Sequence, residues 1–269
     1  MPSIPHDYHM HSRHSCDCQA PMAQMCQAAV ERGIAEIGFT EHFDLHPGDE
    51  CRGYFKLEPW AAELEAVRAE FDGRLTVRAG IELGEPHIYP AQARAILARY
   101  PFDYCLGSLH WVGDQSVFDN NYFKSNPADV TFPAFFAELE RLTAQGGFDI
   151  LSHFDVPARH ATAIYGGYDP KRYEDQIRPV LRNCVANGLA LDLNTSILRQ
   201  RGNHIMTPGP DILRWYVELG GERVTLGSDA HQPSQVGSYL PEAMDIARAA
   251  GLKYLTHFSK RQARLELMP

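Results

Sequence analysis

The chain lacks the features that would tie it to a membrane, a nucleotide fold or a nucleic acid. Its 269 residues contain no apolar run of membrane-span length, and Met1 to His11 has no apolar core of signal-peptide length. No Gly-x-Gly-x-x-Gly or Walker loop follows a predicted strand, which removes the usual sequence support for a dinucleotide or P-loop fold. No Gly-x-Ser-x-Gly elbow is present, so Ser108, Ser152 and Ser228 read as small residues at crowded strand ends rather than as nucleophiles. Basic charge is also scarce. Lys and Arg number 25 against 34 Asp and Glu, a formal net charge of −9, whereas a general nucleic-acid binder carries a basic stripe. A small anionic substrate is still admissible, because bound cations reverse the local field.

The six cysteines (Cys16, Cys18, Cys26, Cys51, Cys105, Cys184) form no zinc-ribbon spacing, and Cys16-x-Cys18 is too short for an ordinary structural zinc pair. Reduced thiols and a soluble cytoplasmic enzyme with no membrane partner are the expectation.

What is present is alternation. Short apolar runs at Ile34 to Phe39, Leu75 to Ile81, Phe102 to Leu106, Phe148 to Leu151, Leu189 to Leu193 and Val224 to Leu226 read as strands, with the approach to His9 and Leu252 to Leu255 as further candidates. Between them lie helical stripes that stop at glycine: Met22 to Val30 before Gly33, Leu57 to Phe71 before Gly73, Phe132 to Leu142 before Gly146, and Ile212 to Leu219 before Gly220. Pro179 predicts a helix that is bent or begins late. Repeated βα units without a composition shift predict one barrel domain over residues 1–269, with an open doubly wound sheet as runner-up.

The polar residues fall at one place in each repeat. His9 and His11, then Glu41 and His42, Glu82, His110, His153, Asn194, and Asp229 with His231 each sit at or just past the C-terminal end of an apolar run. In a β/α barrel those ends converge on one face, where active sites are built. A lone His-x-His is more often a pair of loop histidines. Here Asp229-x-His231 repeats its geometry far along the chain, and two residues apart on a strand place both side chains on one face. Glu82, after a strongly apolar run, needs a cation or several donors to offset its desolvation. His42, His110 and His153 taken singly could be core or turn histidines, and Asp17 could simply precede the Met22 helix.

Asp7-Tyr8-His9-Met10-His11, Phe39-Thr40-Glu41-His42, Arg99 to Tyr104 through Gly107-Ser108-Leu109-His110, Leu191-Asp192-Leu193-Asn194-Thr195 and Gly227-Ser228-Asp229-Ala230-His231 together resemble the polymerase and histidinol phosphatase (PHP) superfamily. Within it the chain resembles the monofunctional histidinol-phosphate phosphatases of bacterial histidine biosynthesis. The resemblance implies a distorted, TIM-like (β/α)7 barrel of the α/β class with three divalent metal ions, zinc, manganese or iron. By position, His9, His11, Glu82 and Asp229 would hold one ion, Glu82 with His110 and His153 a second, and Asp17, His42 and His231 a third. Many relatives carry His where Asp17 stands, and His14 is the alternative; a hard carboxylate there shifts preference towards manganese or iron.

The implied chemistry is hydrolysis of a small phosphate monoester, L-histidinol phosphate foremost, by in-line attack of a hydroxide bridging the metals, with no phosphoenzyme. Arg159 and Arg199 match phosphate-binding positions, with Arg201 weaker. Asp229 or His231 would protonate the leaving alcohol, although both are also assigned to metals, and a metal-bound water is the alternative donor. Glu41 is either a support for His42 or part of its turn. Residues 44–55 and 113–129 are expected to frame the pocket, where Tyr54, Trp111, Phe118 or Tyr122 could stack on an imidazole. The competing readings are a PHP phosphoesterase for nucleotides or oligonucleotide ends, a metal-dependent amidohydrolase, and a non-catalytic metal-stabilised module.

Overall fold

The computed structural model describes residues 4–199 and 206–269. In chain order the strands are β1 (Ile4–Asp7), β2 (Ile34–Phe39), β3 (His42–Phe43), β4 (Thr76–Ala79), β5 (Glu82–Gly84), β6 (Leu106–Ser108), β7 (Trp111–Val112), β8 (Gln115–Ser116), β9 (Ile150–Leu151), β10 (Ala190–Asn194), β11 (Val224–Gly227), β12 (Tyr254–Ser259) and β13 (Gln262–Leu267). The α-helices are α1 (Met22–Glu31), α2 (Leu57–Glu70), α3 (Pro90–Leu97), α4 (Asn120–Lys124), α5 (Ala128–Gln145), α6 (Ala158–Tyr165), α7 (Glu174–Asn187), α8 (Pro210–Glu218) and α9 (Leu240–Ala249).

Two parallel sheets, β1-β2-β4 and β11-β10-β9-β6-β5-β3, join into one ring. β3 prolongs β2 and β5 prolongs β4: Gly80 N donates to Phe39 O and Glu82 N to Glu41 O across the breaks. The ring closes where Tyr8 N donates to Leu226 O, Asp229 N to His9 O and His11 N to Ala230 O, with a parallel bridge between Met10 and Ala230. The staves are therefore β1, β2 with β3, β4 with β5, β6, β9, β10 and β11, a seven-stranded barrel. This closure removes the open doubly wound alternative.

The staves read as apolar runs because both their faces are covered. Every residue of β10 and β11 is buried, and the helices lay their apolar stripes on the outside, as Trp60, Leu64 and Val67 of α2 do. α7 ends at Gly188, whose φ of 65° is the left-handed turn that glycine adopts without a steric cost.

Three expectations shift. The run Phe102 to Leu106 enters the sheet late, as β6 at Leu106–Ser108, because Asp103 N and Tyr104 N both turn to Ala79 O. Leu252 to Leu255 is not a stave: Tyr254 opens β12, which pairs antiparallel with β13 outside the ring. Pro179 does not delay its helix, since α7 begins at Glu174 and runs through it. Among the described residues no helix is long and apolar enough to cross a membrane.

Candidate metal centre

The C-terminal ends of the staves meet around Glu82, the first residue of β5 and fully buried. Its Oε2 lies 3.5 Å from His9 Nε2, 3.6 Å from His11 Nε2 and 3.1 Å from His42 Nδ1. Its Oε1 lies 3.4 Å from His110 Nε2 and 3.1 Å from His153 Nε2. Asp229 Oδ1 stands 3.8 Å from His9 Nε2 and 3.6 Å from His11 Nε2. Asp17 Oδ2 reaches His231 Nε2 at 3.0 Å and His42 Nε2 at 3.5 Å. All nine side chains named from the sequence thus gather in one cluster. His14 is elsewhere, its Nε2 on Glu63 Oε2 at 2.8 Å.

The cluster is poor in internal hydrogen bonds where it should be rich. His9 Nε2, His11 Nε2, His42 Nδ1, His231 Nε2 and Glu82 Oε2 are buried without a hydrogen-bond partner, an arrangement that costs free energy unless something else satisfies these atoms. They face one another, and His11, His42 and His231, then His9, His11 and Glu82, then His42, Glu82 and His110, each bring three ligand atoms close enough to share one ion. Imidazole and carboxylate are the donor set of zinc, manganese and iron sites. The residues fit divalent cations.

Electrostatics agree with that fit. Burial alone would raise the Glu82 carboxyl, but the imidazoles around it, His9 and His42 foremost, hold it well below the usual carboxylate range. Asp229 is likewise held down, burial being outweighed by His9, His11 and Arg159. His11 is pushed down to about 3 by burial and by His231 and His42, so its ring is neutral and its lone pair free for a cation. Asp229 and His153 also hold positive φ angles of 52° and 21°, sparsely populated for side-chain-bearing residues and characteristic of functional strand ends.

Around the cluster a second layer orients the rings. Asp192 Oδ2 takes His9 Nδ1 at 2.7 Å and Asp44 Oδ1 takes His110 Nδ1 at 2.8 Å. Ser15 Oγ bridges His11 Nδ1 (3.0 Å), Glu41 Oε2 (2.7 Å) and the His42 backbone N–H (3.0 Å). Ser108 Oγ donates to Glu82 Oε1 at 2.7 Å. Glu41 also accepts from Ser12 N at 3.0 Å, so it braces the loop after His11 as well as the ring of His11. None of Asp44, Asp192, Ser15 and Ser108 was assigned a part from the sequence. Asp192 had a legible signal, a carboxylate inside a buried strand, and Asp44 follows His42 at the spacing that keeps one face.

Arg159 Nη2 donates to Asp229 Oδ2 at 2.8 Å and to Ser196 Oγ, while its buried Nε has no partner. Arg199 gives its Nη atoms to the backbone oxygens of Ser228 and Asp229, so it clasps the segment that carries Asp229. Arg201 lies outside the described residues. Of the aromatic candidates, Phe118 is 38% exposed and its ring is centred 5.3 Å from that of His110. Tyr122 is turned inward, its hydroxyl on Thr131 O at 3.3 Å. Trp111 is stacked on His46 at 3.9 Å with its Nε1 on Asp49, and the Tyr54 hydroxyl reaches Arg13 O at 3.3 Å.

One cysteine expectation is overturned. Cys16 and Cys51 are joined by a disulfide, with Cα atoms 5.2 Å apart, because the loops after β1 and β3 fold together beside Asp17. The spacing suits a disulfide, and sequence distance gave no hint of it. Cys18, Cys26, Cys105 and Cys184 are free and buried.

The PHP domain family matches residues 7–196. The chain belongs to that family. The match extends through the β10 motif, and relatives run further. The probable histidinol-phosphatase of Deinococcus radiodurans is 30% identical, over 93% of this chain and 95% of its own length. That of Clostridium acetobutylicum is 28% identical, over 95% and 97%. The crystal structure of histidinol phosphate phosphatase from Lactococcus lactis, complexed with zinc, L-histidinol and phosphate, superposes with a TM-score of 0.83 at 21% identity, covering 97% of this chain and 98% of that one. This PHP chain thus has that barrel fold; His9, His11, Asp17, His42, Glu82, His110 and His153 lie within the residues matched by the family, and Asp229 and His231 beyond them.

Proposed function

We propose that the protein is a metal-dependent phosphomonoesterase that hydrolyses L-histidinol phosphate to L-histidinol and phosphate. The observation that carries the reading is the cage around Glu82: six imidazoles and three carboxylates, among them five buried ligand atoms (His9 Nε2, His11 Nε2, His42 Nδ1, His231 Nε2 and Glu82 Oε2) that lack hydrogen-bond partners, with the Arg159 guanidinium at its side. The relatives named histidinol-phosphatase along nearly their whole length, and the zinc, L-histidinol and phosphate of the Lactococcus structure, support the substrate. We take residues 1–269 as one phosphatase domain acting in the cytoplasm; the Cys16–Cys51 disulfide removes reduced thiols as a support for that compartment, so the placement rests on the biosynthetic role of the relatives alone.

His9, His11, Asp17, His42, Glu82, His110, His153, Asp229 and His231 would hold three divalent ions. Such ions, when bound, lower the pKa of water and offset the charge of a phosphate dianion. The protein's own part is positioning. Arg159, with an unpartnered Nε, takes a phosphate oxygen. Arg199 holds the Ser228–Asp229 backbone in the conformation that keeps Asp229 among the rings, and so acts on phosphate through Asp229 rather than by contact. A departing alkoxide needs a proton. The surrounding rings hold Asp229 well below the usual carboxylate range, so it has no proton to give, and His231 could give one only while its ring holds no metal.

The test is phosphate release from histidinol phosphate by chelator-stripped protein, before and after zinc, manganese or iron is restored, with nucleoside monophosphates in parallel. Activity should vanish on stripping, return with metal, and favour histidinol phosphate. Equal or faster release from the nucleotides would transfer the assignment to a nucleotide phosphoesterase.

A further inference from the structure

Asp44 lies two residues beyond His42 and is buried. Its Oδ1 accepts from His110 Nδ1 at 2.8 Å, and its Oδ2 is 3.4 Å from His42 Nδ1. Among the described residues these two imidazoles are its ionic partners. The fold reserves the place. β3 pairs with β5 so that His42 opposes Glu82 and Phe43 opposes Leu83, which brings Asp44 level with Gly84. A Cβ on Gly84 would collide with the Asp44 carboxylate, so that glycine and this carboxylate occupy one space. From there the His110 ring is aimed, with Nε2 at 3.4 Å from both Glu82 Oε1 and His153 Nε2.

We propose that Asp44 is a positioning residue of the metal centre. It fixes His110 with the proton on Nδ1 and turns the Nε2 lone pair into the space shared with Glu82 and His153. A carboxylate on the far nitrogen also makes an imidazole a stronger donor. Asp192 holds His9 in the same way at 2.7 Å, so the two braced rings approach Glu82 from its two oxygens. The inference rests on the reading of His110 as a metal ligand.

Zinc binding by stripped protein, titrated in competition with a chromophoric chelator, tests it in the wild type, Asp44→Ala, Asp44→Asn and His110→Gln. Asp44→Ala should weaken one zinc equivalent roughly 10- to 100-fold, with the circular dichroism of the metal-free protein unchanged. Asp44→Asn keeps an acceptor for Nδ1–H without the charge and should recover most of that loss, leaving about a 3- to 10-fold deficit. Wild-type affinity in Asp44→Ala, while His110→Gln loses an equivalent, overturns the proposal and leaves the centre as read. Full zinc binding in His110→Gln overturns the reading of His110 and the proposal with it. Should the alanine variant fail to fold, Asp44→Asn decides alone: an unchanged affinity there also overturns the proposal.

Discussion

Arg159 Nη2 donates to Asp229 Oδ2 at 2.8 Å, linking the start of α6 to the end of β11. Both side chains are mostly shielded, 14% and 8% exposed, so the pair keeps more of its strength than a surface ion pair does. The carboxylate lies among the metal-site rings, and the guanidinium has a buried Nε to spare. A phosphate entering the cage would complete the donor set of Arg159.

Replacing Arg159 by alanine should therefore lower kcat/KM by about 1.5–3 kcal/mol, roughly 10- to 150-fold, the worth of a hydrogen bond to a charged group. Bound metal should stay at the wild-type level. Lysine should restore only a minor part, because it offers one point charge in place of a planar fork. Steady-state phosphate release together with metal analysis checks this; a change under threefold would remove Arg159 from phosphate binding.

Glu82 should be the residue the centre can least do without. Its two oxygens face five imidazoles between 3.1 and 3.6 Å away. Glu82→Gln keeps the size and deletes the charge that offsets those rings when cations are bound. Elemental analysis should show at least one metal equivalent lost, and phosphate release should fall more than about 100-fold, beyond the range for residues that only orient ligands. A variant that keeps its full metal complement would deny Glu82 the bridging part.

How far the sequence carried this picture depends on locality. Each apolar run and the polar residue after it are local features, so Ile34–Phe39 with His42, or Val224–Gly227 with Asp229 and His231, could be read directly. Which carboxylate stands behind which imidazole is not local. Asp192 meets His9 only because the ring closes between β11 and β1, and Cys16 meets Cys51 only because two loops fold together. The hairpin of β12 and β13 escapes for a related reason: the four residues Leu252 to Leu255 are too few to show a period that separates a stave from an antiparallel edge. Phe118 could be named as an aromatic near the pocket but not ranked, since its neighbours come from other repeats.

His6 of β1, three residues before His9, should make stability pH-dependent. It is fully buried in β1, and its Nε2 accepts from Leu226 N at 3.0 Å. Burial, and then His257, hold its pKa well below 6.5. The unfolded chain binds a proton at this residue near pH 6.5 and the folded chain does not, so stability is full above that pH and declines as pH falls towards the folded pKa. The slope from this one group is about 1.4 kcal/mol per pH unit. Urea unfolding of metal-stripped protein between pH 7 and 5 should show a shallower decline for His6→Gln, which keeps an acceptor without a titrating ring. Equal slopes would mean that His6 is protonated in the folded chain.

The aromatic that meets the substrate's leaving group should be Phe118. Its ring is exposed, lies beside His110 and His153 with centroids 5.3 and 6.3 Å away, and has the Arg159 Cζ 5.8 Å from its centre. A phosphate held by Arg159 would thus bring an attached imidazole within reach of that ring. Aromatic pairs contribute about 0.5–1.5 kcal/mol beyond the area they bury, so Phe118→Ala should raise KM for histidinol phosphate roughly 2- to 12-fold. For an aliphatic phosphate monoester, which has no ring to stack, the change should be smaller, and kcat for either should hold within about twofold if the ring acts in binding alone. Parallel kinetics on the two substrates separate this from a general disturbance of the cage, which would slow both equally. Equal losses on the two substrates would take the leaving-group contact away from Phe118.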